Sequence, residues 1–158
     1  MIISPRRASR HRRQQGVAAV ELAFLLPILL IFFTVPLFFS VYFWHYTAAQ
    51  KAAQHAARYL STISAQEMRS ATLATAAGAT ASTIAQTVTS ELHMGAAPAT
   101  VEVYCGRVRC TGVGSRPLPD TVFVSVRLDM FDQFFGAVET GRYGWPVTAE
   151  VEMSYVGN

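Results

Sequence analysis

The sequence predicts an α+β protein: a long N-terminal transmembrane and stem helix, a second helix, and a small antiparallel sheet of about three to four strands. Three observations carry that expectation. An apolar run extends from Val17 to Trp44 with a single charge in it, Glu21. Alanines then recur at helical spacing, and beyond residue 100 the apolar period shortens from about four to two.

Composition sets the bounds. The 158 residues are 51% hydrophobic and only 15% charged, with a mean hydropathy of +0.27; an average soluble domain is about 25% charged, so part of the chain is expected in lipid. The net charge of +3 is uneven, because Arg6, Arg7, Arg10, Arg12 and Arg13 precede Gly16 while every acidic residue follows it. Without those five, eight basic residues face ten acidic ones. A basic arm abutting a hydrophobic span is a topological determinant that stays in the cytoplasm, which places the C-terminus outside and argues against nucleic acid as a partner.

Residues 1–16 form a basic cytoplasmic leader without apolar periodicity. A transmembrane and stem helix is expected over 17–63, continuing through Pro27 and Pro36 because membrane helices tolerate proline where the freed backbone groups find local partners. Its apolar core exceeds the 7 to 15 residues of a signal peptide, so it is expected to stay as an anchor. Trp44 and Tyr46 suit a membrane interface. Ala48, Ala52, Ala56 and Leu60 recur every four residues with Ala49, Ala53 and Ala57 beside them; this stripe would let another layer approach closely, and it equally suits a helix of high intrinsic propensity. At 1.5 Å per residue the helix would extend roughly 70 Å, beyond what a bilayer requires.

An exported α+β domain is expected over 64–158. Ser64 followed by Glu67 fits a capping box that opens a helix over about 65–93, with Leu73, Ala77, Ile84, Val88 and Leu92 as its apolar stripe and Gly78 as a point of bending. Gly95 and Pro98 end it. The sheet is expected over about 100–156: Val101, Val103 and Cys105 alternate with Glu102 and Tyr104, Val122 to Met130 alternate in the same way, and Val147, Ala149, Val151, Met153 and Tyr155 point opposite to Thr148, Glu150, Glu152 and Ser154. Turn-rich stretches at Thr111 to Asp120 and Gly136 to Pro146 join the strands. Phe131, Phe134 and Phe135 are expected to close the sheet over the helix, the alternative being a partner anchor.

Cys105 and Cys110 flank Gly-Arg-Val-Arg in the exported part, where a tight hairpin with a disulfide is expected; without a nearby His or further Cys they make a poor metal site. His45, His55 and His93 lack metal-ligand spacing, and no nucleophile elbow or phosphate loop is present. The reading is therefore a non-enzyme without cofactor, metal or small-molecule substrate.

The order of basic leader, Gly16, Val-Ala-Ala-Val, Glu21 and apolar helix resembles the processing site of type IV prepilins. More narrowly, Arg-Arg-Gln-Gln-Gly-Val-Ala-Ala-Val-Glu-Leu-Ala-Phe-Leu-Leu-Pro and the later Ala-Ala-Arg-Tyr resemble TadE-like proteins, minor pseudopilins of tight-adherence pilus systems. Leu22 departs from that pattern, in which an aromatic commonly follows the glutamate. The resemblance implies a bacterial inner-membrane, single-pass protein cut between Gly16 and Val17 by a prepilin peptidase. It implies that Glu21 forms an assembly charge pair with the new amine of an adjoining subunit, and that the partners are other pilin or pseudopilin subunits and the inner-membrane assembly platform. Three alternatives stand beside it: an unprocessed single-pass envelope scaffold of the same topology, a membrane-tethered enzyme with an exported catalytic site, and a Glu21 that merely reaches the headgroup layer by snorkelling.

Overall fold

The computed structural model describes residues 14–91, 98–110, 118–130 and 144–157. The leader up to Arg13, His93, Gly95, the three phenylalanines at 131, 134 and 135, and most of both turn-rich stretches lie outside them. The described elements are α1 (Gln14–Ser61), α2 (Ala65–Arg69), α3 (Ala71–Glu91), β1 (Thr100–Cys105), β2 (Val108–Arg109), β3 (Thr121–Met130) and β4 (Trp145–Ser154). The class is α+β, with four antiparallel strands. The chain divides into two compact units, one ending at Ser40 and one beginning at Val41.

The first unit is the amino-terminal part of α1. Its helix starts at Gln14, three residues before the expected Val17, and is helical through Pro27 and Pro36.

In the second unit the sheet order is β2-β1-β3-β4. Strand register explains which side chains form the core: Val101, Val103 and Cys105 of β1 lie opposite Val126, Val124 and Val122 of β3, which lie opposite Ala149, Val151 and Met153 of β4. Because side chains alternate across a strand, these residues share one face. On it Val122, Val124, Val126, Leu128, Met130, Val147 and Ala149 are at most 2% exposed. Burying a Val or Leu side chain contributes about 1.5–3 kcal/mol, so β3, buried along its whole inner face, is the centre of the core.

Helices supply the other layer. In α1, Ala48, Ala49, Ala52, Ala53, Ala56, Ala57 and Leu60 are at most 2% exposed, while Lys51, Gln54, His55 and Arg58 are exposed. In α3 the buried residues are Ala74, Ala77, Gly78, Ala81, Ala85 and Thr89. Of the expected stripe, Ala77 is buried and Leu92 lies outside the described residues, but the rest is corrected: Leu73 is 48% exposed, and Ile84 and Val88 are only half-buried. The close approach of the layers accounts for this, since a Cβ added at Gly78 would lie 3.1 Å from the Cβ of Cys110. Only small side chains fit such a gap. The helix is continuous through Gly78.

The single second helix expected over about 65–93 is in fact two. Ser64 opens α2 with a complete capping box, accepting from the Glu67 N–H while the Glu67 carboxylate accepts from the Ser64 N–H. Ser70 then adopts extended backbone, φ −83° and ψ 120°. It closes α2 by donating its N–H to the Glu67 carbonyl (3.2 Å) and opens α3 by accepting from the Ala74 N–H (2.8 Å). Serine is suited to both boundaries because its short polar side chain competes for local backbone groups.

The chain beyond β4 ties the sheet to the end of α1. The N–H groups of Val156 and Gly157 both donate to the Ser61 carbonyl, at 3.1 and 3.3 Å, and the Tyr155 hydroxyl donates to the Ile63 carbonyl at 2.8 Å. They satisfy carbonyls that a helix terminus otherwise leaves without partners. Burial, reinforced by the charge of Glu67 and opposed by Arg69, pushes the Tyr155 phenol above its ordinary value. The neutral phenol is thus the form the fold favours. Its contribution is complete below the unfolded value near 10 and is lost as pH rises through the higher folded value. Tyr155→Phe is expected to cost about 1 kcal/mol at neutral pH and to flatten this alkaline loss, both measurable by chemical denaturation across pH 7 to 11.

Candidate functional site

The candidate site lies in the first turns of α1. From Val17 to Phe33 every large apolar side chain is between 48% and 73% exposed. No described residue of this segment is buried up to Phe33, whereas the alanine face of the same helix beyond Ser40 is buried completely. A helix exposing leucine, isoleucine and phenylalanine all round suits a lipid solvent. Among the described residues, α1 is the one helix long and apolar enough to cross a membrane, and it fits a single-pass membrane protein.

The polar groups inside this segment are few and mostly satisfied within the helix. The Thr34 hydroxyl donates to the Leu30 carbonyl at 2.6 Å, and His45 Nδ1 lies 2.8 Å from the Val41 carbonyl oxygen. Phe43, Trp44 and Tyr46 remain 58%, 59% and 37% exposed, the aromatic grouping that suits a boundary between hydrocarbon and water.

Glu21 is the exception. It is exposed among exposed apolar neighbours and makes no hydrogen bond or ion pair among the described residues. A carboxylate in an apolar segment is costly unless it is paired or reaches water. Gly16 is anomalous in a complementary way: a Cβ added there meets nothing within 4 Å. Glycine in a helix costs about 1 kcal/mol relative to alanine, and among the described residues no contact demands it. Val17 stands four residues before Glu21, so the two share one face and are separated by about 6 Å of rise. An amine created at Val17 would lie within reach of a carboxylate at this position, on its own chain or on a neighbour. The helix covers both Gly16 and Val17, so any protease that needs an extended substrate must first unwind its opening turn.

The cysteines lie far along the chain, in the β1–β2 hairpin. Tyr104 pairs with Arg109 and Cys105 with Val108 around a two-residue turn in which Gly106 has φ 68°, a left-handed backbone that glycine adopts without steric cost. A disulfide joins Cys105 to Cys110 with Cα atoms 5.0 Å apart, and Cys110 is 3% exposed beneath Gly78 of α3. The bridge thus fastens the hairpin at its contact with the helix. For so short a loop the chain-entropy contribution is about 2 kcal/mol. Replacing both cysteines by serine is expected to lower the denaturation midpoint in oxidising buffer and to abolish its sensitivity to reductant. Free-thiol labelling of the native protein is expected to find neither cysteine reactive.

No group of three or more His, Cys, Asp or Glu side chains suited to a metal ion occurs among the described residues. Two residues important to the architecture escaped the sequence reading of sites. Gly78 had a usable signal, a glycine inside an alanine-rich helix, which marks a close approach of backbone. Tyr155 had none, because its partner Ile63 is 92 residues away.

The family model described as TadE-like protein matches residues 16–58. The match begins at Gly16, includes Glu21, and ends at Arg58 beyond most of the buried alanine face, all of it within α1. No curated protein and no solved structure matches the chain.

Proposed function

We propose, with the TadE-like segment at residues 16–58 as premise, that this chain is a minor pseudopilin of a tight-adherence pilus system. In this reading residues 1–16 are a cytoplasmic leader, residues 17–63 anchor the chain in the bacterial inner membrane and form a stem, and residues 64–158 are exported. The match itself points to a Tad pilus-related protein; the subunit role rests on the pairing of two anomalies. Among the described residues, Gly16 is a helix glycine without a packing cause, and Glu21 is a carboxylate without a partner. Prepilin peptidase cleavage after Gly16 explains the first, since the missing Cβ lets the enzyme approach the backbone. The α-amino group it creates at Val17, with an ordinary pKa of about 7.7–8.0, explains the second as its counter-charge.

The protein performs no chemistry in this account. It is a peptidase substrate whose apolar helix packs among other pilin or pseudopilin helices, with Glu21 setting register through a neighbouring amine. The deciding experiment is mass spectrometry of the chain purified from membranes. A mature protein beginning at Val17, free or N-methylated, is the expected result; a retained arginine leader throughout the functional pool would leave only an unprocessed scaffold.

A further inference from the structure

Strand β4 is the outer strand of the sheet. All ten of its residues, Trp145–Ser154, pair with β3 on one side, and no strand among the described residues lies on the other. The opposite edge is formed by the two-residue β2. A long open edge presents a row of backbone donors and acceptors to any extended chain that lies beside it.

Two independent features say what such a chain would look like. The first is burial on the core face. Val122 and Val124 of β3 are 0% exposed, yet their cross-strand partners Met153 and Val151 are only half-buried, although Val147 and Ala149 on the same face of β4 are fully covered. The apolar layer is incomplete along the last part of the edge, where alternate apolar residues on an added strand would complete it.

The second feature is charge on the other face. Glu150 and Glu152 are exposed, stand at alternate positions, and face Ser125 and Phe123 across the ladder. Neither has a basic residue directly opposite, and neither forms an ion pair among the described residues. Arg127 instead stands opposite Thr148 and approaches Asp129 at 3.6 Å, while Arg109 is engaged by Glu102. Pro146, which lacks an N–H, falls near the beginning of β4, as suits an edge strand.

We infer that the edge of β4 over residues 147–154 accepts an extended segment of a different protein, one in which basic residues alternate with apolar ones. The basic positions face Glu150 and Glu152, and the apolar positions lie beside Val151 and Met153. A second copy of this chain is the poorer partner, because its β4 would bring Glu150 and Glu152 and no basic residue to this face, and pairing about Val151 would set them directly against one another, where like charges destabilise a ladder. The inference concerns the sheet alone and stands whether or not the leader is removed.

The test uses the full chain in a non-ionic detergent and a synthetic, end-blocked peptide of alternating lysine and valine. Two further peptides carry backbone N-methyl groups, one on each alternate set of nitrogens. Strand addition requires that one N-methylated set lose binding by about tenfold or more while the other set retains it. The double variant E150K/E152K, checked for an unchanged circular dichroism spectrum, is expected to weaken lysine-peptide binding by about tenfold or more and to favour the corresponding glutamate peptide. Equal losses from both N-methylated sets, or equal binding of a scrambled peptide, would reduce the effect to charge attraction and overturn the inference. Absence of binding by any peptide would overturn it too, leaving the glutamates as guards against edge pairing, and a stable dimer cross-linked through β4 would overturn the choice of partner.

Discussion

Glu21→Gln is expected to leave membrane insertion unchanged and to lower incorporation of the chain into assembled pili by about a hundredfold. The substitution keeps the shape of the side chain and removes its charge. Insertion depends on the apolar residues from Val17 onward, all of which remain, and loss of a carboxylate makes transfer into hydrocarbon easier. Assembly depends on what the carboxylate meets there. In a low-dielectric setting, removing one partner of a hydrogen-bonded ion pair costs about 3–5 kcal/mol, because the other charge is left uncompensated; at about 1.4 kcal/mol per factor of ten, even the lower figure exceeds a hundredfold. Glu21→Asp keeps the charge with a shorter reach and is expected to recover part of the loss. The readout is the ratio of chain in sheared pili to chain in membranes. A double-mutant cycle ties the effect to the amine: in a variant blocked for cleavage at Gly16 no Val17 amine exists, so adding Glu21→Gln should change nothing further. Normal incorporation by the glutamine variant would leave Glu21 as a tolerated residue in the headgroup layer.

The features legible in the sequence are those with a local signature. The period-two runs in β3 and β4 match the buried and exposed faces residue by residue until the core layer thins at Val151 and Met153. The Ser64 and Glu67 pair gave the start of α2, and the alanine stripe of α1 marked a face that is fully buried. What was misread depends on distances between elements. In α3 the larger aliphatic residues Leu73, Ile84 and Val88 looked like the core stripe because hydrophobicity increases with size. The available space reverses that order: where Gly78 nearly touches Cys110, a smaller side chain is the better fit and larger ones flank the contact. Ser70 interrupts a helix with neither proline nor glycine, and the caps on Ser61 and Ile63 come from the far end of the chain. Gly16 and Glu21 stand out in the sequence because each is wrong for its surroundings, and such local conflicts concentrate at functional positions, which is why they are proposed as a site.

The alanine face of α1 supports the second large prediction, since it admits two physical causes with opposite mutational consequences. If those alanines serve only helix propensity, leucine, whose propensity is close to that of alanine, should substitute freely. If they serve close approach, added volume must displace the layer they contact. Ala53 and Ala56 are both 0% exposed, and Gln54 between them is exposed. Ala53→Leu or Ala56→Leu alone is expected to destabilise the domain by about 1–3 kcal/mol, the usual cost of overpacking a well-filled core. The two together should approach the whole stability of a small domain, which lies near the lower end of about 5–15 kcal/mol. Gln54→Leu should stay within about 0.5 kcal/mol of the parent. Limited proteolysis and chemical denaturation of the full chain in detergent separate the two causes. Because the anchor residues before Trp44 are untouched, membrane insertion should persist in the double variant while the domain beyond it becomes sensitive to protease. Equal stability of all the variants would refute close packing. The expected asymmetry would show that one continuous helix is under two constraints, large and apolar where its side chains are exposed and small where the core closes upon it.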